Sequence, residues 1–510
     1  MSLLLERAGG FFPAAVAFAL PVVFIPNLGD LYILPRASIV IAGACLGVGL
    51  AFLAPATNRL GALRWPLLAA ALAALLAFAF SVSWPLGLAG SYTRYESLPM
   101  RLSYLGLAAS AAWLLRSEAQ RTVLAAAFVT GCSIAAVEAL MMAFSGVTFR
   151  PDGNLGNANL LAGLLVMALP VALDRARRAE DWWLTAWVAA IVVMGAGLLV
   201  TTSRSGYLGL LAGLAVLVTL SVPRRATLAV GAASLGIVAA VMAFFYLSPL
   251  RVLNDDPPEL RLHLWADSLR LIAARPLTGW GEDTTGLTFG HYLSQDYATL
   301  VTFDRIHSGP LDLAATQGVL GLAATGAVVG LVLWFAWRNR SRPYVPGLAA
   351  ALAGYSAWVL VNFDWSPATG AFWLLLGALW SASLPLPTGE QAWMRGPAAL
   401  TGALATVLAL AVIPLAVFPV LADAWYLKGR ADLAVRVAPL QAQYHWAIGT
   451  LPELRTAASL GETDPSMYVQ LGDAELQAGN RAQALSAYRR ALEIDPYYTP
   501  AMQRLTSVGG

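Results

Sequence analysis

Residues 304–337 read DRIHSGPLDLAATQGVLGLAATGAVVGLVLWFAW, a short polar segment followed by a long apolar run. The run exceeds the roughly 20 apolar residues that a helix needs to cross a bilayer. The polar segment closes an interruption over 248–309, the only sizeable hydrophilic stretch before the C-terminal tail. This stretch therefore predicts a membrane-spanning helix with polar chemistry at its N-terminal end.

The composition supports the same class of protein. Of 510 residues, 58% are hydrophobic and only 12% are charged, against about 25% charged residues in soluble domains. The net charge of +3 is too small to indicate a nucleic-acid partner. Cys45 and Cys132 both lie in apolar runs, so neither a disulfide framework nor a cysteine metal site is expected.

The apolar runs predict an all-α, polytopic membrane bundle. Length and apolarity indicate about thirteen spans, and their approximate bounds are 11–27, 37–55, 65–83, 99–115, 122–145, 157–173, 182–201, 205–222, 225–247, 310–337, 345–364, 367–386 and 398–427. We expect a transmembrane domain over 1–427, with 248–309 as its large outer loop, and a separate tail over 428–510.

Arginine placement predicts the orientation in the membrane. Six alternate loops carry arginines: Arg59 and Arg64; Arg116 and Arg121; Arg175, Arg177 and Arg178; Arg224 and Arg225; Arg338, Arg340 and Arg342; and Arg395. Basic loops face the cytoplasm, which leaves the loop 248–309 on the outer side of the cytoplasmic membrane. The tail is also expected on the outer side.

The tail resembles a tetratricopeptide repeat. Small residues, aromatic residues and a proline occur over 465–498 at the offsets of one 34-residue repeat, namely Tyr468, Leu471, Gly472, Ala484, Tyr488, Ala491 and Pro496. Such modules bind peptides or partner proteins. The alternative is a structural cap on the membrane domain.

Within the outer loop, an amphipathic helix is predicted over 259–274. Asp255-Asp256-Pro257-Pro258 is a helix-start signal. The apolar stripe would consist of Leu262, Trp265, Leu269 and Ile272, lying on the membrane surface or on the bundle. Arg275-Pro276 ends this helix, and Gly279-Trp280-Gly281 follows as a turn. Arg261, at the helix start, is either a ligand-binding or a snorkelling arginine.

A second polar cluster is Thr201-Thr202-Ser203-Arg204-Ser205-Gly206, at the junction of two apolar runs. Guanidinium offers a planar fork of donors that suits phosphate or pyrophosphate, so Arg204 with Ser203 is a candidate anion site. The alternative is an interfacial anchor. The amide-rich stretch from Arg150 through Asn157 to Asn159 is either a turn entering the next span or part of a sugar site.

His307 is the last polar side chain but one before the apolar run. An imidazole can take a proton from a hydroxyl near neutral pH, with Asp304 or Asp312 as the group that orients it. The alternative is a structural histidine.

Taken in order, these segments resemble the bacterial O-antigen ligase superfamily, which includes O-antigen polymerases. The matching segments are GNLGNANLLA at 153–162, TSRSG at 202–206, Arg261 with Trp265, PLTGWG at 276–281, His307-Ser308 and GVLGL at 318–322. Two positions depart from the family pattern, because Ser308 stands where asparagine is frequent and Ala158 where proline is frequent.

The resemblance implies an inverting, metal-independent glycosyltransferase of the GT-C type that needs no cofactor. Its donor would be a glycan on undecaprenyl pyrophosphate, and its acceptor a lipid, a glycan or a protein. Arg204 and Arg261 would hold the pyrophosphate, and His307 would be the general base. Further contacts to glycan or phosphate would come from Arg150, Asn157, Asn159, Ser203 and Arg305. A polymerase of lipid-linked repeat units shares this chemistry, and a transporter of lipid-linked sugars is the alternative from another class.

Overall fold

The computed structural model describes residues 9–54, 60–146, 150–247, 258–297, 303–385 and 398–509. Within these ranges the chain is helical and contains no strand. The helices before the tail are α1 (Phe12–Val22), α2 (Ile33–Leu53), α3 (Arg64–Ala79), α4 (Trp84–Ala89), α5 (Leu98–Leu114), α6 (Glu118–Ser145), α7 (Ala158–Ala176), α8 (Asp181–Val200), α9 (Arg204–Ser221), α10 (Arg224–Leu247), α11 (Pro258–Ala274), α12 (Thr285–Thr288), α13 (Gly309–Arg338), α14 (Val345–Val359), α15 (Ser366–Ser383), α16 (Ala398–Val412) and α17 (Phe418–Leu427). Those of the tail are α18 (Ala431–Val437), α19 (Ala442–Ile448), α20 (Leu451–Leu460), α21 (Pro465–Gln477), α22 (Arg481–Ile494) and α23 (Thr499–Gly509).

The predicted polytopic helical membrane protein is confirmed. A helix occupies each predicted span, but in the described ranges eight helices are long and apolar enough to cross a membrane by themselves. The sequence predicted about thirteen. The numbers differ mainly because several predicted spans form shortened helices, such as α1, α5 and α14, which have 11, 17 and 15 residues.

Small residues let α9 and α14 approach closely. A Cβ atom on Gly209 would lie 2.8 Å from Gly354 O, and one on Gly213 would lie 2.9 Å from Ala350 O. Such contacts between backbones are typical of membrane helix pairs. Since Gly209 faces Gly354 and Gly213 faces Ala350, the two helices run antiparallel, and the start of α9 lies near the end of α14.

Two of the family-like segments, PLTGWG and GVLGL, bind each other. Helix α13 breaks at Gly318, where φ is +67° and ψ is −170°. The loop before α12 pairs with this break: Trp280 N donates to Ala315 O at 2.9 Å, and Val319 N donates to Pro276 O at 2.8 Å. A Cβ atom on Gly318 would lie 2.2 Å from Leu277 O, so glycine is required there by both space and backbone conformation.

Helix α11 confirms the predicted element and half of its predicted stripe. Leu262 and Leu269 are 52% and 58% exposed, whereas Leu264 and Leu271 are buried with Phe289, Tyr297, Ile306 and Ala315. Trp265 and Ile272 of the predicted stripe also pack against this cluster. The core-facing side therefore shares two residues with the predicted stripe, and it contains Leu264 and Leu271 where the prediction had Leu262 and Leu269. The acidic start signal at 255–257 lies outside the described residues.

The tail packs against the outer-loop end of the bundle. A Cβ atom on Gly290 would lie 2.3 Å from Ile494 O of α22, and Leu287 shares a buried cluster with tail residues that include Leu454 and Tyr468. A second contact between tail and bundle is the Asp423 carboxylate, which accepts hydrogen bonds from Tyr92 OH at 2.8 Å and Tyr444 OH at 3.1 Å. The tail is therefore held at the same end as His307.

Within the tail, α21 and α22 form a close helix pair. A Cβ atom on Gly472 would lie 2.3 Å from the Tyr488 ring, and Tyr488 OH donates to Asp473 at 2.7 Å. Helix α22 ends at Ile494, two residues before Pro496. The predicted pairing of two helices through small residues is present, while the assignment to the tetratricopeptide class and the 1–427/428–510 domain division stay predictions.

Candidate active site

Two hydrogen bonds hold the backbone directly before His307. The Asp312 carboxylate accepts from Ile306 N at 2.9 Å, and the Trp265 indole donates to Ile306 O at 3.2 Å. His307 itself has a φ of +56°, a left-handed conformation that is uncommon for residues other than glycine. Strain of this kind persists only where the surroundings fix it, and the two contacts on Ile306 supply that constraint.

The imidazole of His307 lies between two aromatic rings. Its centroid is 5.2 Å from that of Phe363 and 6.2 Å from that of Phe303, and both pairs are close to edge-on. Such pairs orient a ring through the attraction between its edge and the neighbouring π face. The His307 side chain is half-buried. The histidine is thus both oriented and accessible.

Asp304 is held by an arginine that the sequence analysis missed. Arg94 Nε and Nη2 donate to the two Asp304 carboxylate oxygens at 2.6 and 3.2 Å. The Arg94 guanidinium also lies 4.6 Å from the Trp365 ring centroid and 5.0 Å from that of Phe363. Burial raises the pKa of the Asp304 carboxyl, but the charge and hydrogen bonds of Arg94, together with the charge of Arg305, keep the pKa below its usual value. Arg94 thus links the segment before His307 to the ring packed against it.

We predict that Arg94 acts as a positioning residue for His307. We expect Arg94→Met to lower turnover on the order of 10-fold to 100-fold, because small displacements of a catalytic group have effects of that size, while the KM for the donor stays within about 2-fold. Steady-state kinetics measures both constants.

The matched variants separate positioning by Arg94 from general instability. Arg94→Lys should recover part of the turnover, since it restores the charge but not the planar fork. The double variant Arg94→Met with Asp304→Asn should have a higher turnover than Arg94→Met alone, because it leaves no unpaired carboxylate. If all three variants showed the same decrease in kcat and the same increase in KM, the positioning role would be contradicted.

Beneath the His307 segment lies a buried layer of ion pairs. Arg305 is 2% exposed and pairs with Asp283, which also accepts from Ser91 N at 2.6 Å. Arg101 bridges Glu282 at 3.1 Å and Asp364 at 2.8 Å. These ion pairs hold the His307 segment and the loop before α12 in place. The predicted contact of Arg305 with glycan or phosphate is therefore not supported by its position, because its guanidinium is enclosed by the loop.

Glu96 belongs to the same layer. It accepts a hydrogen bond from Tyr104 OH at 2.7 Å, and burial raises its pKa to about 8. The carboxyl is therefore mostly protonated at neutral pH, which lowers the cost of keeping it buried. The sequence analysis missed Arg101. Its position inside a predicted span was an available signal, because a charge in a span is costly and marks a polar contact.

Arg261 reaches the same region from α11. Its Nη1 donates to Val361 O at 2.6 Å, in the turn that follows α14 and leads to Phe363. This hydrogen bond orients the Arg261 guanidinium. Arg261 and His307 therefore both contact the turn over 360–365, although 46 positions in the sequence separate them.

The other predicted residues gather at the starts of α7 and α9. Asn159 Oδ1 accepts from both Ser203 Oγ and Arg150 Nη2, each at 2.8 Å. Ser203 caps α9 by accepting from Gly206 N at 3.2 Å, and Asn157 caps α7 by accepting from Asn159 N at 2.8 Å. Arg204 is the first residue of α9. Two helix N-termini and two arginines meet here, which favours an anion.

The α9–α14 contact brings this cluster towards the turn over 360–365. Because the two helices are antiparallel, Arg204 begins α9 where α14 ends at Val359. Gly309, at the start of α13, packs against the Val359 side chain. The end of α14 therefore lies close to the start of α9, to the Arg261 side chain and to the segment that carries His307.

Among the described residues, no group of three or more His, Cys, Asp or Glu side chains is arranged to hold a metal ion. His263 and His291, the other histidines of the outer loop, are exposed on α11 and after α12. The predicted metal independence of the reaction stays a prediction.

The fold and the site together define a polytopic helical membrane protein with arginines and one histidine gathered at one end of the bundle. Residues 189–326, which contain Arg204, Arg261 and His307, match the family model described as O-Antigen ligase. A curated O-antigen ligase of Pseudomonas aeruginosa is 26% identical over 225 residues, which are 39% of this chain and 51% of that protein. The chain thus spans about half the length of this relative. These matches confirm the resemblance to the O-antigen ligase family.

Proposed function

We propose that this protein is a lipid-linked glycan ligase. It transfers a glycan from undecaprenyl pyrophosphate to an acceptor hydroxyl at the outer face of the cytoplasmic membrane. The observation that carries the proposal is the approach of Arg261 and His307 to one turn, beside the helix that Arg204 begins. All three residues lie in the stretch that matches the O-antigen ligase family.

In the proposed reaction, the His307 imidazole accepts the proton of the acceptor hydroxyl. The hydroxyl oxygen attacks the anomeric carbon, a new glycosidic bond forms with inversion, and the bond to the pyrophosphate oxygen breaks. The pyrophosphate leaves with the electron pair. Arg204 and Arg261 stabilise the negative charge that develops on it, since oriented donors act most strongly where charge appears in the transition state.

The tail lies beside this site. The Cβ position of Gly286 is 3.1 Å from Thr463 of the tail and 3.5 Å from Asp304. This proximity supports a role for the tail in presenting the acceptor or a partner protein to His307. A polymerase of lipid-linked repeat units would use the same donor and the same groups, so the two activities differ only in the acceptor.

The test is reconstitution of the full chain in liposomes with an undecaprenyl-pyrophosphate glycan and candidate acceptors. We expect glycan on the acceptor and undecaprenyl pyrophosphate as the second product, with activity unchanged by EDTA. Elongated lipid-linked glycan instead would indicate a polymerase. Movement of intact donor across the bilayer without bond cleavage would exclude an enzyme, and activity restored to an EDTA-treated sample by a divalent ion would contradict metal independence.

A further inference from the structure

A cleft of about 670 Å³ lies at the end of the bundle opposite His307. It is formed where the loop after α7, the turn after α9, the end of α13 and the start of α14 meet. Four arginines line it: Arg177, Arg178, Arg338 and Arg340. His307 precedes α13 and Arg338 ends it, so about 45 Å of helix separates this cleft from the proposed active site.

The cleft is strongly positive. Among the described residues, Asp174 supplies the one carboxylate in contact with these arginines. It pairs with Arg177 at 2.8 Å and lies 3.6 Å from Arg178. One carboxylate offsets one of the four guanidinium charges. About three positive charges are therefore left around a concave space, which favours an anion with more than one negative charge.

The guanidinium groups are oriented by the protein. Arg340 is 8% exposed, donates to Thr227 Oγ1 at 3.0 Å and lies 4.8 Å from the Trp337 ring centroid. Arg177 Nη1 donates to Ser221 Oγ at 2.7 Å. An arginine that is already oriented loses less side-chain entropy when it binds a phosphate. The cleft therefore presents arginines that the protein has already oriented, unlike mobile basic side chains on an exposed surface.

The surroundings of the cleft indicate where the anion comes from. Exposed tryptophans occur at this end of the bundle: Trp334 and Trp337 on the last turns of α13, and Trp182 and Trp183 on the first turn of α8. Tryptophan is enriched at the level of the lipid headgroups. Leu220, Val222 and Pro346 supply apolar lining beside the arginines. The cleft is therefore accessible to a headgroup from the adjacent leaflet.

We propose that this cleft binds the phosphate groups of an anionic phospholipid in the leaflet opposite the active site. Arg177 and Arg178 would take one phosphate, and Arg338 and Arg340 a second one, so a lipid with two phosphodiesters, such as cardiolipin, fits better than one with a single phosphodiester. Basic pockets between membrane helices are known to bind such headgroups. The proposal is independent of the transfer reaction.

The experiment is native mass spectrometry of the purified full chain, titrated with cardiolipin, phosphatidylglycerol, phosphatidylethanolamine or inorganic phosphate. We expect cardiolipin to bind most tightly and phosphatidylethanolamine to bind at least 10-fold more weakly. Arg177→Gln with Arg338→Gln, both at exposed positions, should weaken cardiolipin binding at least 10-fold. Arg64→Gln, an arginine that lies over Trp65 away from the cleft, should leave it unchanged.

Equal cardiolipin affinity in the wild type and the double variant would overturn the proposal. Equal affinity for phosphatidylethanolamine would do the same, because charge would then play no part. If inorganic phosphate binds as tightly as cardiolipin and the double variant loses this binding, the ligand of the cleft is a free anion and the lipid proposal is overturned. If the double variant does not fold, the single variants Arg177→Gln and Arg338→Gln should each show a smaller loss that is absent in Arg64→Gln.

Discussion

His307→Ala should lower glycan transfer about 100-fold to 10,000-fold, the usual contribution of a general base. The physical reason is that the acceptor hydroxyl must lose its proton as its oxygen attacks, and alanine offers no acceptor for that proton. The fold should persist, because the backbone before His307 is held by Asp312 and Trp265 through Ile306. Initial rates in liposomes measure the effect, and gel filtration checks the fold.

The outer loop supplies a matched control for the histidine. His263 is exposed on α11, and His263→Ala removes an imidazole from the same loop without touching the turn over 360–365. Its transfer rate should stay within about 2-fold of the wild type, as surface substitutions usually have small effects. Full transfer by His307→Ala would remove this residue as the base, while equal losses in both variants would indicate a general effect of the loop.

Arg261→Gln should lower kcat by about 100-fold to 1,000-fold, which is the usual cost of removing one donor that stabilises developing charge. Glutamine keeps a polar side chain but loses the positive charge that faces the leaving pyrophosphate. Arg204→Gln should act in the same direction. If the arginines act only in the transition state, kcat and kcat/KM fall equally, which steady-state kinetics over a range of donor concentrations determines.

Arg270 on the same helix is the control for Arg261. It is exposed and pairs with Asp267 on α11 itself, so Arg270→Gln should change kcat by no more than about 2-fold. Arg261→Lys should recover only part of the loss, since a single ammonium cannot reproduce the planar fork. A rise in KM at constant kcat would show that Arg261 binds the ground state and the transition state equally well and does not lower the barrier of the transfer step.

Much of the site could be predicted because its residues occur in short segments with a recognisable order. The segments around Arg204, Arg261 and His307 resemble a family, and polar residues beside apolar runs are conspicuous. Arg94 had a weaker signal. It is an arginine in a loop predicted to face outward, where basic residues are less frequent, and nothing in the sequence near it indicates Asp304 as its partner.

Other features could not be predicted because they depend on which distant segments meet. The buried face of α11 is set by packing against Phe289 and Ile306. Periodicity alone placed Trp265 and Ile272 on this face but missed Leu264 and Leu271. Arg305, predicted as a ligand contact, is enclosed because Asp283 happens to lie beneath it. In both cases the local pattern was compatible with two environments, and only the long-range contacts selected one of them.

The sequence by itself determined the class of protein and the membrane helices, because apolar length and charge placement are local properties that a bilayer acts on directly. Only the tertiary structure decided that Arg204, Arg261 and His307 approach the end of α14. That convergence depends on the close α9–α14 contact, the break at Gly318 and the Arg94–Asp304 pair. Each of these joins residues far apart in the chain, and their geometry follows from packing, which no short segment encodes.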